Sequence, residues 1–217
     1  MAGSRKIAII PVFFESHLLD SELITHDLYT QGYHIIDNFL AKEHCESLHH
    51  LAQKMYNKGL FRSAKIGLKI ASQSNPTIRT DEIFWMDEQS RNYSIQAYLK
   101  QTNALASLLN QTLFLCLSDF ETHFAAYQPG TFYKKHCDQF ANQKTRKISC
   151  VYYLNPHWEE DFGGELKIYK EEQLIQTVWP QGNRFICFNS ELVHEVCLTH
   201  HVRYSIAGWL KTRMLQN

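Results

Sequence analysis

The feature that most constrains this chain is a pair of distant segments, Tyr127 to Asp138 (Y-Q-P-G-T-F-Y-K-K-H-C-D) and His194 to Trp209, whose side chains make chemical sense only together. His136 and Asp138 stand two residues apart, so in extended chain both side chains point to one side and can grip one ion. A third ligand must come from elsewhere. His194 supplies it, and Arg203 follows nine residues later inside R-Y-S-I-A-G-W. Two neutral imidazoles and one carboxylate form the facial triad that suits ferrous iron, because they fill one face of the octahedron and leave the other open.

The spacing alone is weak. With twelve histidines and acidic residues at about one position in ten, roughly one H-x-D/E arises by chance. His44 with Glu46 and His157 with Glu159 repeat the pattern. The first pair lies in K-E-H-C-E-S-L-H-H-L, a helical stretch in which i and i+2 do not share a face. Both pairs are expected to be solvated bystanders, and the His49-His50 pair is expected at the surface. His136 and Asp138 differ in context: a β-rich half follows them, with a later His, an Arg at a fixed distance from it, and tyrosines placed to help that Arg.

A chain of 217 residues, 44% hydrophobic and 13% aromatic, fits one domain with a substantial core. Its 22 basic and 22 acidic residues balance, so no long-range field favours a nucleic acid or an acidic membrane surface. The six cysteines form no C-x-x-C pair and read as free thiols. The apolar run Ile7 to Phe14 contains Pro11 and meets Glu15 without a cleavage site. It is too short for a signal-peptide core or a bilayer span, which leaves the reducing cytoplasm as the expected compartment.

Along the chain, residues 1–20 carry a strand-like run. Ser21 reads as a helix cap, with the helix running to Gln31 and stopped by Gly32. Tyr33 to Leu40 reads as a strand. Lys42 to Lys58 reads as a helix with Cys45, Leu48, Leu51, Ala52 and Met55 on one face. Residues 60–80 have little periodicity and suit a lid or substrate-contacting loop. Arg79 to Asp87 then predicts a strand, and Ser94 to Leu109 a helix. Six strands are expected beyond Phe114, at 120–127, 147–154, 165–169, 174–178, 184–188 and 203–210, separated by turn signals at Pro129-Gly130, Gly163-Gly164 and Gly182-Asn183. The expected fold class is α+β: a double-stranded β-helix (jelly roll) core with supporting N-terminal helices. It is a single domain over 1–217, with helical support and lid in 1–112 and a catalytic core in 113–217.

Alternation puts Arg203, Ser205, Ala207 and Trp209 on one strand face and Tyr204 and Ile206 on the other; Ser149, Val151 and Tyr153 likewise share a face. A buried Arg203 beside a tyrosyl hydroxyl would receive a carboxylate through two charge-assisted hydrogen bonds. The charges favour a dianion. Iron at +2, Asp138 at −1, an oxoacid dianion and Arg203 sum to zero, which avoids an uncompensated buried ion. 2-Oxoglutarate fits, with its oxoacid end on the metal and its far carboxylate on Arg203.

At this point the residues carry a resemblance. Y-Q-P-G-T-F-Y-K-K-H-C-D, R-K-I-S-C-V-Y-Y-L-N-P-H-W, G-G-E-L-K-I-Y, and H-E-V followed by R-Y-S-I-A-G-W resemble the catalytic core of the 2-oxoglutarate and Fe(II)-dependent oxygenases. Within these, the likeness is to prolyl hydroxylases of the hypoxia-factor type and their bacterial relatives. Arg79, Asp81, Ile83 and Trp85 resemble a strand of the same family more loosely. The resemblance implies that His136, Asp138 and His194 bind Fe(II), that Arg203 with Tyr153 binds the distal carboxylate of 2-oxoglutarate, and that Tyr127, Tyr133, Val151, Leu166 and Trp209 line the cosubstrate pocket. Arg203 counts with the triad among the catalytic residues. The resemblance also implies O2 as cosubstrate, ascorbate as a candidate addition, and succinate and CO2 as products of a C–H hydroxylation. Collagen-type prolyl hydroxylases use Lys where this chain has Arg203. Cys137 and the loop after Asp138, Q-F-A-N-Q-K-T-R-K, depart from the animal enzymes. Cys137 is read as a small residue facing away from the metal.

The implied partner is a protein or peptide containing proline, hydroxylated in the prolyl 4-hydroxylase manner, with no nucleic acid and no membrane. The rival readings are a hydroxylase of a free amino acid or other small molecule, and a non-catalytic metal-binding jelly-roll sensor. A nucleobase demethylase fits less well, because Trp209 stands where those enzymes tend to carry a second Arg.

Overall fold

In the larger of the two sheets the central strands have to hide both faces, because helices cover one side and the second sheet covers the other. The computed structural model describes residues 19–64, 75–139 and 144–213. The N-terminal run at 1–18 and most of the expected lid, 65–74, lie outside these residues. Three helices come first: α1 (Ser21–Thr30), α2 (Lys42–Asn57) and α3 (Tyr93–Leu113). Short strands lie between them: β1 (Tyr33–Ile36), β2 (Arg62–Ser63) and β3 (Glu82–Trp85). Eight strands follow: β4 (Asp119–Tyr127), β5 (Tyr133–His136), β6 (Arg146–Tyr153), β7 (Leu166–Lys170), β8 (Gln173–Val178), β9 (Phe185–Asn189), β10 (Val193–Val196) and β11 (Arg203–Lys211).

The major sheet runs β1-β9-β6-β11-β4-β3-β2 and the minor sheet β5-β10-β7-β8, with every pair antiparallel. These are two facing sheets of a jelly roll with helices on the outer side, as the sequence predicts. Alternation along the strands divides the major sheet into two cores. Phe120, Phe124, Cys150, Tyr152, Phe185, Cys187, Tyr204, Ile206 and Leu210 join Leu28, Leu48, Tyr98 and Leu105 of the helices. Their sequence neighbours Ala125, Tyr127, Tyr153, Ile186 and Phe188 meet Leu166, Ile168, Val178 and Val196 of the minor sheet. Phe39 is the hinge between helices and sheet. It stacks on Phe185 at 4.1 Å between ring centroids and touches Tyr98 and Tyr152.

Boundaries shift for local reasons. Asp20, not Ser21, caps α1, accepting a hydrogen bond from the Leu23 amide at 3.0 Å. The strand expected over 33–40 ends at Ile36, because Asn38 takes a left-handed φ of 56° and Asp37 pairs with Arg184. Helix α3 runs past Leu109 to Leu113, where Phe114 adopts φ 53°; Asn92 caps its start by accepting from the Ser94 and Ile95 amides. The strand expected over 79–87 is confined to 82–85. Three strands stand where the sequence pattern predicts none: the two-residue β2, inside the segment expected to be an irregular loop, and β5 and β10, whose sequences Y-K-K-H and V-H-E-V lack apolar alternation. His44 is not solvated: it is buried, packs on Tyr93 and shares a hydrogen bond with Ser94 Oγ at 3.2 Å. His49 is half-buried against Tyr204. All six cysteines are free thiols. Among the described residues no helix is long and apolar enough to cross a membrane.

Phe39 is wholly enclosed by aromatic rings from both layers, so Phe39→Ala opens a cavity between helices and sheet. The expected loss of stability is about 3–5 kcal/mol, read as a lower midpoint in urea with unchanged slope; a change under ~1 kcal/mol would show that the layers do not depend on it.

Candidate active site

His136 is the last residue of β5 and His194 the second of β10, and the two are directly paired across the antiparallel ladder. Opposite residues of such a pair share a face, so both imidazoles enter the space between the sheets, with ring centroids 4.2 Å apart. Asp138 lies beyond the end of β5. Its Oδ1 is 3.6 Å from His136 Nε2 and its Oδ2 3.4 Å from His194 Nε2. The three offer ligand atoms all within 4.8 Å of one another and could hold one metal ion.

Each imidazole is oriented by the backbone. His136 Nδ1 lies 2.7 Å from the Lys134 carbonyl oxygen and His194 Nδ1 lies 2.9 Å from that of Leu192, so each Nδ1–H donates and each Nε2 presents its lone pair. Ser149 Oγ donates to Asp138 Oδ2 at 2.7 Å and is itself 2.9 Å from Ser190 Oγ, which fixes the carboxylate rotamer. Burial and the neighbouring His194 lower the pKa of His136. Burial also acts against a charged His194, but the Asp138 carboxylate outweighs it and raises that pKa. Despite its own burial, Asp138 is held well below the usual carboxylate range by His194 and His136.

These groups sit in a cavity of about 1020 Å³ that also takes in Tyr127, Tyr133, Val151, Leu166, Arg203, Ser205, Ala207 and Trp209. Arg203 opens β11 opposite Tyr127 and is 2% exposed. Its Cζ lies 4.7 Å from the Tyr127 ring centroid and 5.0 Å from that of Tyr153. Its Nη1 donates to Ser205 Oγ at 3.3 Å, and its Nε and the Tyr153 hydroxyl have no hydrogen-bond partner among the described residues. A guanidinium buried without an acidic partner costs several kcal/mol unless an anion completes it. The residues at both ends of the cavity thus fit a divalent metal and a carboxylate ligand.

Trp209 stands six residues beyond Arg203 on the same face of β11, about 20 Å along the strand. There it lies under Arg146, whose Cζ is 3.4 Å from its ring centroid, beside Trp85 and His123. His123 is buried and neutral; desolvation takes its pKa down to about 4. Trp85 is half-exposed at the cavity. Sequence reasoning passed over His123 and Arg146 as well as the hydroxyl of Ser190. The inward alternation of F-E-T-H-F could have signalled His123, whereas nothing local marks Ser190. Cys137 is exposed, and its thiol donates to the Glu191 carbonyl oxygen at 3.4 Å. A second cavity of about 930 Å³ runs along α3 and contains none of the triad.

Comparison with known proteins places the sequence and fold among oxygenases. Residues 122–211 fit the family described as the 2OG-Fe(II) oxygenase superfamily. Prolyl hydroxylase EGLN3 of Mus musculus is 27% identical over 202 residues, covering 87% of this chain and 82% of that protein. The crystal structure of a Pseudomonas putida prolyl-4-hydroxylase is 32% identical with a TM-score of 0.79, covering 89% of this chain and 99% of that one. A Trichoplax adhaerens prolyl hydroxylase, solved in complex with a peptide fragment of the hypoxia inducible factor oxygen degradation domain, is 28% identical with a TM-score of 0.80, covering 88% of each chain. With its His-Asp-His cluster and jelly-roll sheets, the chain belongs to the 2-oxoglutarate and Fe(II)-dependent oxygenase superfamily, is an enzyme of the prolyl hydroxylase type, and has Fe(II), 2-oxoglutarate and O2 as the requirements of its family.

Proposed function

We propose that this enzyme hydroxylates a prolyl residue of a protein or peptide, with His136, Asp138 and His194 holding Fe(II) and Arg203 with Tyr153 holding the far carboxylate of 2-oxoglutarate. The observation that carries the reading is the pairing of a three-ligand cluster with a buried, acid-free guanidinium in one cavity. The bound metal, with O2 and 2-oxoglutarate, supplies the oxidation of an unactivated C–H bond, leaving succinate and CO2. The protein's own residues do the rest. Backbone carbonyls fix the tautomers of both histidines, and Ser149 keeps the Asp138 carboxylate turned toward them. Tyr127 and Tyr153 flank the guanidinium, while Tyr133, Val151 and Leu166 line the cavity it shares with the triad. At the other end the half-exposed Trp85, beside a Trp209 whose ring is covered by Arg146, offers a flat apolar face that suits a pyrrolidine ring.

Residues 1–217 act as one oxygenase domain in this reading, since the supporting helices pack on the back of the same sheet whose front carries Arg203 and Ser149. Its six free thiols suit the cytoplasm. Ascorbate is an addition for the turnover assay to vary.

Anaerobic addition of Fe(II) and 2-oxoglutarate should give a weak visible charge-transfer band, and aerobic turnover should release succinate; His136→Ala should lose both. Folded, metal-loaded protein without the band counts against the assignment. Arg203→Lys replaces a two-pronged donor with a point charge. Loss of one hydrogen bond to a charged group, ~1.5–3 kcal/mol, predicts at least tenfold weaker 2-oxoglutarate binding by titration; an unchanged affinity would put the carboxylate elsewhere. The substrate is tested by mass spectrometry of proteins from cells with and without the gene, which should reveal a proline that gains one oxygen atom. A gain found only on free amino acids would favour the small-molecule reading.

A further inference from the structure

His136 is placed where a side chain is hard to hold. It ends a four-residue strand whose pairing with β10 shifts register between His194 and Val196. One edge of β5 is held by β10, and the segment just before β3 closes the other. The Lys134 amide donates to the Ile78 carbonyl oxygen at 2.9 Å, the Thr80 amide to that of Phe132 at 3.1 Å, and Arg79 bridges Tyr133.

The side chains in this seam form one continuous stack. Arg79 donates from Nε to Asp81 Oδ1 at 2.8 Å and from Nη2 to Asp81 Oδ2 at 2.6 Å, a two-pronged pair in which the Asp81 side chain is wholly buried. That pair fixes the plane of the guanidinium. Its Cζ lies 4.2 Å from the Tyr133 ring centroid, and Tyr133 in turn stacks on His136 at 3.5 Å and 13° between planes. Burial opposes the charge on Arg79, but Asp81 restores it and lifts the pKa further. The cation is therefore permanent, and the Tyr133 ring is held between it and the imidazole.

We propose that Arg79, locked by Asp81, is a positioning residue for the metal ligand His136, acting through the ring of Tyr133. This rests on the reading of His136 as an iron ligand. The Nδ1 hydrogen bond to Lys134 fixes one point of the imidazole but leaves rotation about that axis. The stacked Tyr133 face removes the rotation and aims Nε2 at the point shared with Asp138 and His194. Arg79 and Asp81 line the same cavity, but among the described residues neither makes a hydrogen bond or ion pair with the triad or with Arg203, so their effect should appear in metal affinity and geometry.

Titration of the metal-free protein with Co(II) alone tests this, since the visible bands of Co(II) report both affinity and ligand geometry without turnover. The His136→Ala signal serves as background. Arg79→Lys keeps the charge and the main-chain seam but loses the planar fork. It is expected to bind Co(II) about 10–100-fold more weakly, with altered bands. Tyr133→Leu should do the same, whereas Tyr133→Phe, which keeps the stacked face, should bind as wild type does. Equal affinities and bands in wild type, Arg79→Lys and Tyr133→Leu would overturn the proposal, as would equal losses in Tyr133→Phe and Tyr133→Leu. If Arg79→Lys fails to fold, the two Tyr133 variants decide alone. Should wild type itself give no more signal than His136→Ala, the metal assignment falls first and takes this inference with it.

Discussion

The pairing of β5 with β10 is the contact on which the active site depends. It sets His136 opposite His194, and because partners across an antiparallel ladder share a face, the two imidazoles converge without either backbone having to bend toward the other. The same pairing leaves Asp138 just past the strand end, free to turn inward. There the carboxylate meets Ser149 of the opposite sheet. The triad is thus a joint between the two sheets of the jelly roll, and its geometry is only as good as their separation.

That separation is set from behind. The major sheet carries two cores, one with the helices and one with the minor sheet, and each strand sends alternate residues to each. Tyr204 and Ile206 face the helices while Arg203 and Ser205 face the cavity, so helix packing holds the guanidinium at its depth. Arg203 is buried at a cost that only an anion relieves. A stable apolar layer on one face therefore supports an unfavourable charge on the other, which an anionic ligand would complete. Gly164 fits this arrangement: a side chain there would approach Arg203 Cδ to 3.2 Å and Thr199 to 3.0 Å, at a φ of 69° that favours glycine. The Gly163-Gly164 turn therefore also leaves room for the guanidinium stem.

Much of this was legible in the chain itself where residues repeat with a period. The alternation in R-Y-S-I-A-G-W and in K-I-S-C-V-Y-Y predicts the inward sets correctly, since both strands are central and send alternate residues to the helix side and to the cavity side. Helices α2 and α3 announce themselves by their apolar stripes. The strands that carry the histidines did not, because polar ligands occupy the positions that alternation would have filled with apolar residues. His44 misled for a related reason. Its helix looks solvated by composition, yet Tyr93 and Ser94 from α3 enclose it.

Residue types and their local periodicity already carry the candidate chemistry, two histidines, an aspartate and an arginine with strands and helices to bear them, because both are properties of neighbouring positions. The tertiary structure alone decided the register that faces His136 with His194, the Ser149–Ser190 support under Asp138, and the Arg79–Tyr133 stack beside His136. It also set Trp209 near Trp85 and Arg146, well away from Arg203. These are contacts between segments far apart in the chain, and they are fixed by how whole sheets pack rather than by any signal within the segments that meet.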